Sequence, residues 1–164
     1  MRKQIAILVL LFLASLGLGA YASTFSNETL HYVITYKWGL VQKDAGEATL
    51  SLRTSGSNYV ATLTARTKPW ADKLFQVRDT LRAIMTVREL RPVSYEKIAH
   101  EGGKYSRDII TYSHSGGTTR ATANRTKVRD GKTKRSKKAF STRYEAYDML
   151  SIFYFVRSYD YSRL

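Results

Sequence analysis

Three histidines, His31, His100 and His114, are the residues of this 164-residue chain best suited to hold a metal ion or move a proton. Each falls in a different extended segment, and no two have the spacing that presents two imidazoles to one ion. No Gly-rich phosphate loop opens a helix, and neither a G-x-S-x-G turn nor an H-E-x-x-H pair occurs. The chain has no cysteine, which removes thiol nucleophiles, thiolate zinc sites and disulfides. Glu47, Glu96 and Glu101 offer carboxylates, yet their positions define no acid–base pair across one cleft. Catalysis, a metal and a cofactor are therefore not expected.

Arg78 and Asp79 are adjacent charges at the start of a strand that should be central, beside a Trp-bearing turn. An ion pair there would be partly desolvated and directional, so it reads either as a structural salt bridge or as a ligand contact. The aromatic residues have the same two readings. They fill one face of a curved sheet, where cross-strand aromatic pairs are stabilising, or they line an apolar pocket. The candidate ligand-binding set is Trp38, Trp70, Arg78, Asp79, Tyr95 and Tyr105.

The stretch from Arg120 to Arg143 carries ten Lys or Arg against one acid, Asp130. Such a field attracts phosphate, sulfate or carboxylate polymers with an affinity that falls as salt rises. Arg125, Lys127, Arg129, Lys132, Lys134, Arg135, Lys137 and Lys138 form the candidate polyanion-binding set. Anionic lipid, lipopolysaccharide or acidic polysaccharide suits it, as does a protein partner; nucleic acid is not the partner expected of an exported chain. The alternative is a solvated hairpin whose charge keeps a sheet edge from aggregating.

The elements that must position these groups are mostly strands. Leu30, Tyr32, Ile34, Tyr36 and Trp38 alternate with polar residues, which predicts a strand with one buried face. Ala48–Arg53 and Tyr59–Arg66 repeat the pattern around Gly56 and Asn58, as a hairpin would. Pro69 opens one helical turn. Val77–Val87, Val93–Ala99 and Tyr105–Tyr112 are further strands, and Thr118–Val128 reads as the edge. Asp130-Gly131 is a hairpin turn, and Lys132–Lys138 a solvated return strand or loop. After Asp148, a helix cap, Leu150, Phe153, Tyr154 and Arg157 have the spacing of an amphipathic helix. The fold expected is mainly β: a curved antiparallel meander, a half-barrel or incomplete barrel, with a short helix near Pro69 and one C-terminal helix.

Arg2 and Lys3 precede an apolar run from Ile5 to Gly19 and then Ala20-Tyr21-Ala22, the pattern of a signal peptide cleaved after Ala22. Its loss leaves 142 residues, 23–164, as one domain, and lowers the net charge from +14 to +12. No later stretch is long and apolar enough to span a bilayer as a helix.

Together these segments resemble an exported β-rich family of Gram-negative bacteria known only as a domain of unknown function. The resemblance rests on Glu28–Tyr32, Lys37-Trp38-Gly39-Leu40, Ala45–Leu50, Val77-Arg78-Asp79 and Leu90-Arg91-Pro92 before Tyr95. It continues in Glu101-Gly102-Gly103-Lys104-Tyr105 and in Tyr147–Ser151 with Tyr154, Val156 and Arg157. It implies a strongly curved antiparallel sheet and no assigned reaction, in a family whose members continue past the last helix, so this domain is expected to be incomplete at its C-terminal end. The function expected is that of a non-enzymatic periplasmic protein binding an apolar or anionic amphiphilic ligand such as lipid or lipopolysaccharide. The alternative is a structural module docking on an envelope protein partner, with no small-molecule ligand.

Overall fold

The computed structural model describes residues 25–38 and 40–159. The segment read as a signal peptide lies outside the described residues, as does the side chain of Trp38. Eight strands follow one another in a single antiparallel sheet whose spatial order is the chain order. They are β1 (Glu28–Trp38), β2 (Val41–Ser55), β3 (Asn58–Thr67), β4 (Val77–Thr86), β5 (Pro92–Glu101), β6 (Lys104–Ser115), β7 (Thr118–Arg129) and β8 (Lys132–Thr142). Two helices, α1 (Pro69–Asp72) and α2 (Met149–Arg157), complete the described fold. β1 and β8 are unpaired on their outer sides, so the sheet is open.

Short turns keep sequential strands adjacent. At Asp130-Gly131 both residues have positive φ, 50° and 71°, as a two-residue turn matched to strand twist requires. This turn makes Lys132–Thr142 a regular strand rather than a loop, and β8, not β7, is the edge.

One face of the sheet carries the core because the register aligns small and large residues under α2. Leu52, Ala61, Ala83 and Tyr95 fall in one row across β2–β5, and Leu50, Leu63 and Leu81 in the next. The alanines leave room for the fully buried Tyr154 of α2, while Leu150 and Tyr59 close the layer. Burial of a side chain of this size contributes roughly 1.5–3 kcal/mol. Asp148 caps α2: its Oδ1 accepts from the Leu150 and Ser151 backbone N–H groups, both at 2.9 Å, and its own N–H donates to Ser151 Oγ. The C-terminal end is tied to β1 by Arg157, whose guanidinium meets the Glu28 carboxylate and holds it below the usual glutamate range.

The alternation in β1 is real, but its apolar face is not buried. Tyr32, Ile34 and Tyr36 are 41–53% exposed. The reason is geometric: β1 is an edge strand, and its ties to α2 and the core are near its start, at Glu28 and Leu30.

Candidate functional site

Strand alternation puts Tyr95 and Lys97 of β5, Asp108, Ile110 and Tyr112 of β6, Ala123 and Arg125 of β7, and Ser136, Lys138 and Phe140 of β8 on the face that carries α2. The register makes rows of them: Tyr95, Ile110, Ala123 and Lys138 in one, Lys97, Asp108, Arg125 and Ser136 in the next. Because α2 packs on β2–β4, the described residues that cover this half from outside the sheet are Tyr147, Asp148 and Met149, where the chain turns into the helix. A groove of about 580 Å³ is left between them.

The groove is apolar at its helix end and ionic at the other. Tyr95, Ile110, Tyr112, Phe140 and Met149 supply the apolar wall, with the Tyr95 hydroxyl 3.6 Å from Met149 Sδ. Burial, and after it the Asp148 carboxylate, pushes the Tyr95 phenol up to about 12; the same two causes raise Tyr112. At the ionic end Asp108 grips Arg125 with both oxygens, at 2.5 Å each. Lys97 lies 3.5 Å from Asp79 and 3.2 Å from Glu101. Asp79 is raised by burial and by its neighbour Glu101, whereas Glu101 is lowered by its hydrogen bonds to Asp79 and Lys97. Asp148 is raised because burial outweighs its capping bonds, and its Oδ2 is buried with no partner among the described residues.

Of the candidate ligand-binding set, Tyr95 alone among the described side chains lines this groove. Arg78 and Asp79 do not pair with each other, since adjacent strand residues point to opposite faces. Arg78 joins Asp72 of α1, with Nη2 to Oδ2 at 2.6 Å and Nη1 also bonding Thr67, while Asp79 joins Lys97. Trp70 donates from Nε1 to the Asp44 carbonyl at 2.8 Å, under the Lys43 ammonium. Tyr105 packs on His100 at 5.0 Å between ring centroids, on the face away from α2. A second depression, about 420 Å³, is lined by Glu47, Arg66, Arg78 and His100, with its charges already engaged as Glu47–Arg66 and Arg78–Asp72. Glu96 is elsewhere, bonded to Arg107 at 2.7 Å. His31 and His114 bond threonines on neighbouring strands.

The basic segment divides by face. Arg125 and Lys138 line the groove, and Lys127, Arg129, Lys132 and Lys134 continue from it along the same face. Arg135 and Lys137 are opposite Thr126 and Asn124, on the other face. Asp108, Ile110, Phe140 and Met149 were not legible as site residues in the sequence, whereas Tyr112 is one of the aromatics that could line a pocket. A signal for the ion pair was present, because Asp108 and Arg125 are equidistant from the Gly116-Gly117 turn and so must face each other in a hairpin.

A family model described as a protein of unknown function, DUF3108, matches residues 31–163. No curated protein and no solved structure matches the chain.

Proposed function

The chain belongs to this DUF3108 family, and from that premise we propose that it is an exported, non-enzymatic envelope protein that binds an anionic amphiphile in the β5–β8 groove. The observation that carries the reading is the groove itself, where an apolar wall is continuous with Lys138 and, past the Asp108–Arg125 pair, with the cations of the basic face. An acyl chain lies along Ile110, Tyr112, Phe140 and Met149, and its headgroup rests on the basic face. An apolar wall with charged groups at one end suits a ligand that is itself apolar at one end and charged at the other. Export is supported by the N-terminal sequence, with its Arg2-Lys3 start, apolar run and Ala20-Tyr21-Ala22. The periplasm of a Gram-negative bacterium supplies amphiphiles of this type, lipopolysaccharide among them.

The test is to fill the groove. Ala123 is on its floor, between Ile110 and Lys138 in the row across the sheet. Ala123→Phe should lower affinity for lysophosphatidylglycerol at least tenfold, about 1.4 kcal/mol, with an unchanged circular dichroism spectrum. Binding equal to that of the parent would overturn the reading.

One observation favours docking on an envelope protein instead. Tyr32, Val33, Ile34 and Tyr36 are exposed on the unpaired edge strand β1, and apolar surface of this kind marks interaction sites. If Ala123→Phe leaves lipid binding unchanged while Tyr36→Lys abolishes capture of an envelope protein, that reading takes the lead.

A further inference from the structure

Where the sheet sets cations on neighbouring strands, it generally supplies each with an acid; even Arg66 and Arg78, directly opposite each other, meet Glu47 and Asp72. Glu47 faces Arg66, Asp108 faces Arg125, and Glu96 reaches Arg107. The outer half of the β7–β8 hairpin does the reverse. Lys127 is directly opposite Lys134, and Arg129 directly opposite Lys132. Like charges in direct cross-strand register are destabilising. Among the described residues, Lys127, Lys132 and Lys134 have no carboxylate partner, and Arg129 has only Asp130 in the exposed turn, at 3.3 Å.

The two rows are two residues apart along the strands, which places them about 7 Å from each other. Both are on the face that carries the groove, beyond the neutralised Asp108–Arg125 pair. Each row has two flexible cationic side chains whose Cβ atoms stand about 5 Å apart. That is a spacing from which two cations converge on one phosphate, each donating charge-assisted hydrogen bonds.

We propose that Lys127–Lys134 and Arg129–Lys132 form a two-row anion subsite, which selects a headgroup bearing two phosphates over one bearing a single phosphate. The assignment rests on the groove reading for what the headgroup is attached to, and on the cross-strand pairing alone for its charge. A single phosphate satisfies one row and leaves the other repelling itself. Two phosphates neutralise both.

Probes without an acyl chain separate this proposal from the groove. Glucose 1,6-bisphosphate and glucose 6-phosphate are titrated into the full mature chain, with backbone amide shifts followed by NMR. The bisphosphate should bind about tenfold more tightly, with shifts concentrated on Lys127, Arg129, Lys132 and Lys134. Two double variants remove equal charge from opposite faces. Lys127→Gln with Lys134→Gln should lose about tenfold in bisphosphate affinity and, relieved of repulsion, should melt higher than the parent at low salt. Arg135→Gln with Lys137→Gln should bind within about twofold of the parent. Equal losses in the two double variants would show only the summed field of a basic hairpin, and equal affinity for the two sugars would show no pairing of rows. Either result overturns the proposal, whatever Ala123→Phe does to lipid binding.

Discussion

Asp148 links the stability of the fold to the roof of the groove, and it is the residue at which two physical effects oppose each other. As a cap it serves two helix N–H groups at 2.9 Å, and it also lines the groove beside Met149. As a buried carboxylate it stands at 6% exposure with one oxygen unpartnered, and its folded pKa is raised by that burial. Asp148→Ala removes the cap, about 1 kcal/mol, and strands two N–H groups at a buried helix end, for a total of about 1–3 kcal/mol. In a domain of this size that lowers the melting temperature by about 3–9 °C. Asp148→Asn keeps a capping oxygen and replaces the buried charge with an amide, which costs less to bury. It should therefore unfold close to, or above, the parent at pH 7. A raised folded pKa means that the native state takes up its proton before the unfolded chain does. The contribution of Asp148 is then full below the ordinary aspartate value of 3.8 and is lost as pH rises through the folded value. Urea midpoints of the parent and Asp148→Asn between pH 7 and pH 4 read this directly: acidification should favour the parent relative to the variant. A parent that loses ground on acidification would show that the capping bonds outweigh burial, and would refute the reasoning.

Tyr59→Phe removes a hydroxyl that accepts from the Phe25 N–H and donates to the Phe25 carbonyl, both at 2.9 Å; it should cost about 1–3 kcal/mol in urea unfolding and speed hydrogen exchange at Phe25. Gly102 has φ of +55°, and a Cβ there would meet the Phe75 ring at 2.5 Å, whereas Gly103, at +77°, has open space around it. Gly103→Ala should therefore cost about 1–2 kcal/mol for conformation alone, and Gly102→Ala measurably more unless Phe75 swings away; equal urea midpoints would show that the ring does so freely.

The strands were legible because alternation is a local property. Leu30 to Trp38, Ala48 to Arg53 and Tyr59 to Arg66 each sort their own side chains onto two faces before any partner is known. What alternation does not encode is which face is covered. Tyr32, Ile34 and Tyr36 share the face that is buried in β2 and β3, yet they are exposed because β1 is an edge strand tied to the core near its start, at Glu28 and Leu30. The helix was legible for the same reason as the strands, with Asp148 and Ser151 forming a reciprocal cap within four residues. The groove was harder to see. Tyr95 and Met149 meet across 54 positions, and the floor draws two or three residues from each of four strands, so no contiguous motif marks it. Arg78 and Asp79 were misread as a unit because sequence adjacency suggests contact, whereas a strand sends neighbours to opposite faces. The basic segment was visible as a field, but its division between faces, with Lys127 and Lys134 on one and Arg135 and Lys137 on the other, needed the β7–β8 register.

The proposed site would hold an amphiphile with its chain against the sheet between β5 and β8, under the start of α2. Intermolecular NOEs from the acyl protons of bound lysophosphatidylglycerol to the methyl groups of Ile110 and Met149 measure it most directly, because both line the groove. NOEs to both methyls are expected, with headgroup-proximal protons nearest Lys138. Saturable binding whose acyl NOEs fall instead on Tyr32, Ile34 and Tyr36 of β1, with none to Ile110 or Met149, would contradict that placement.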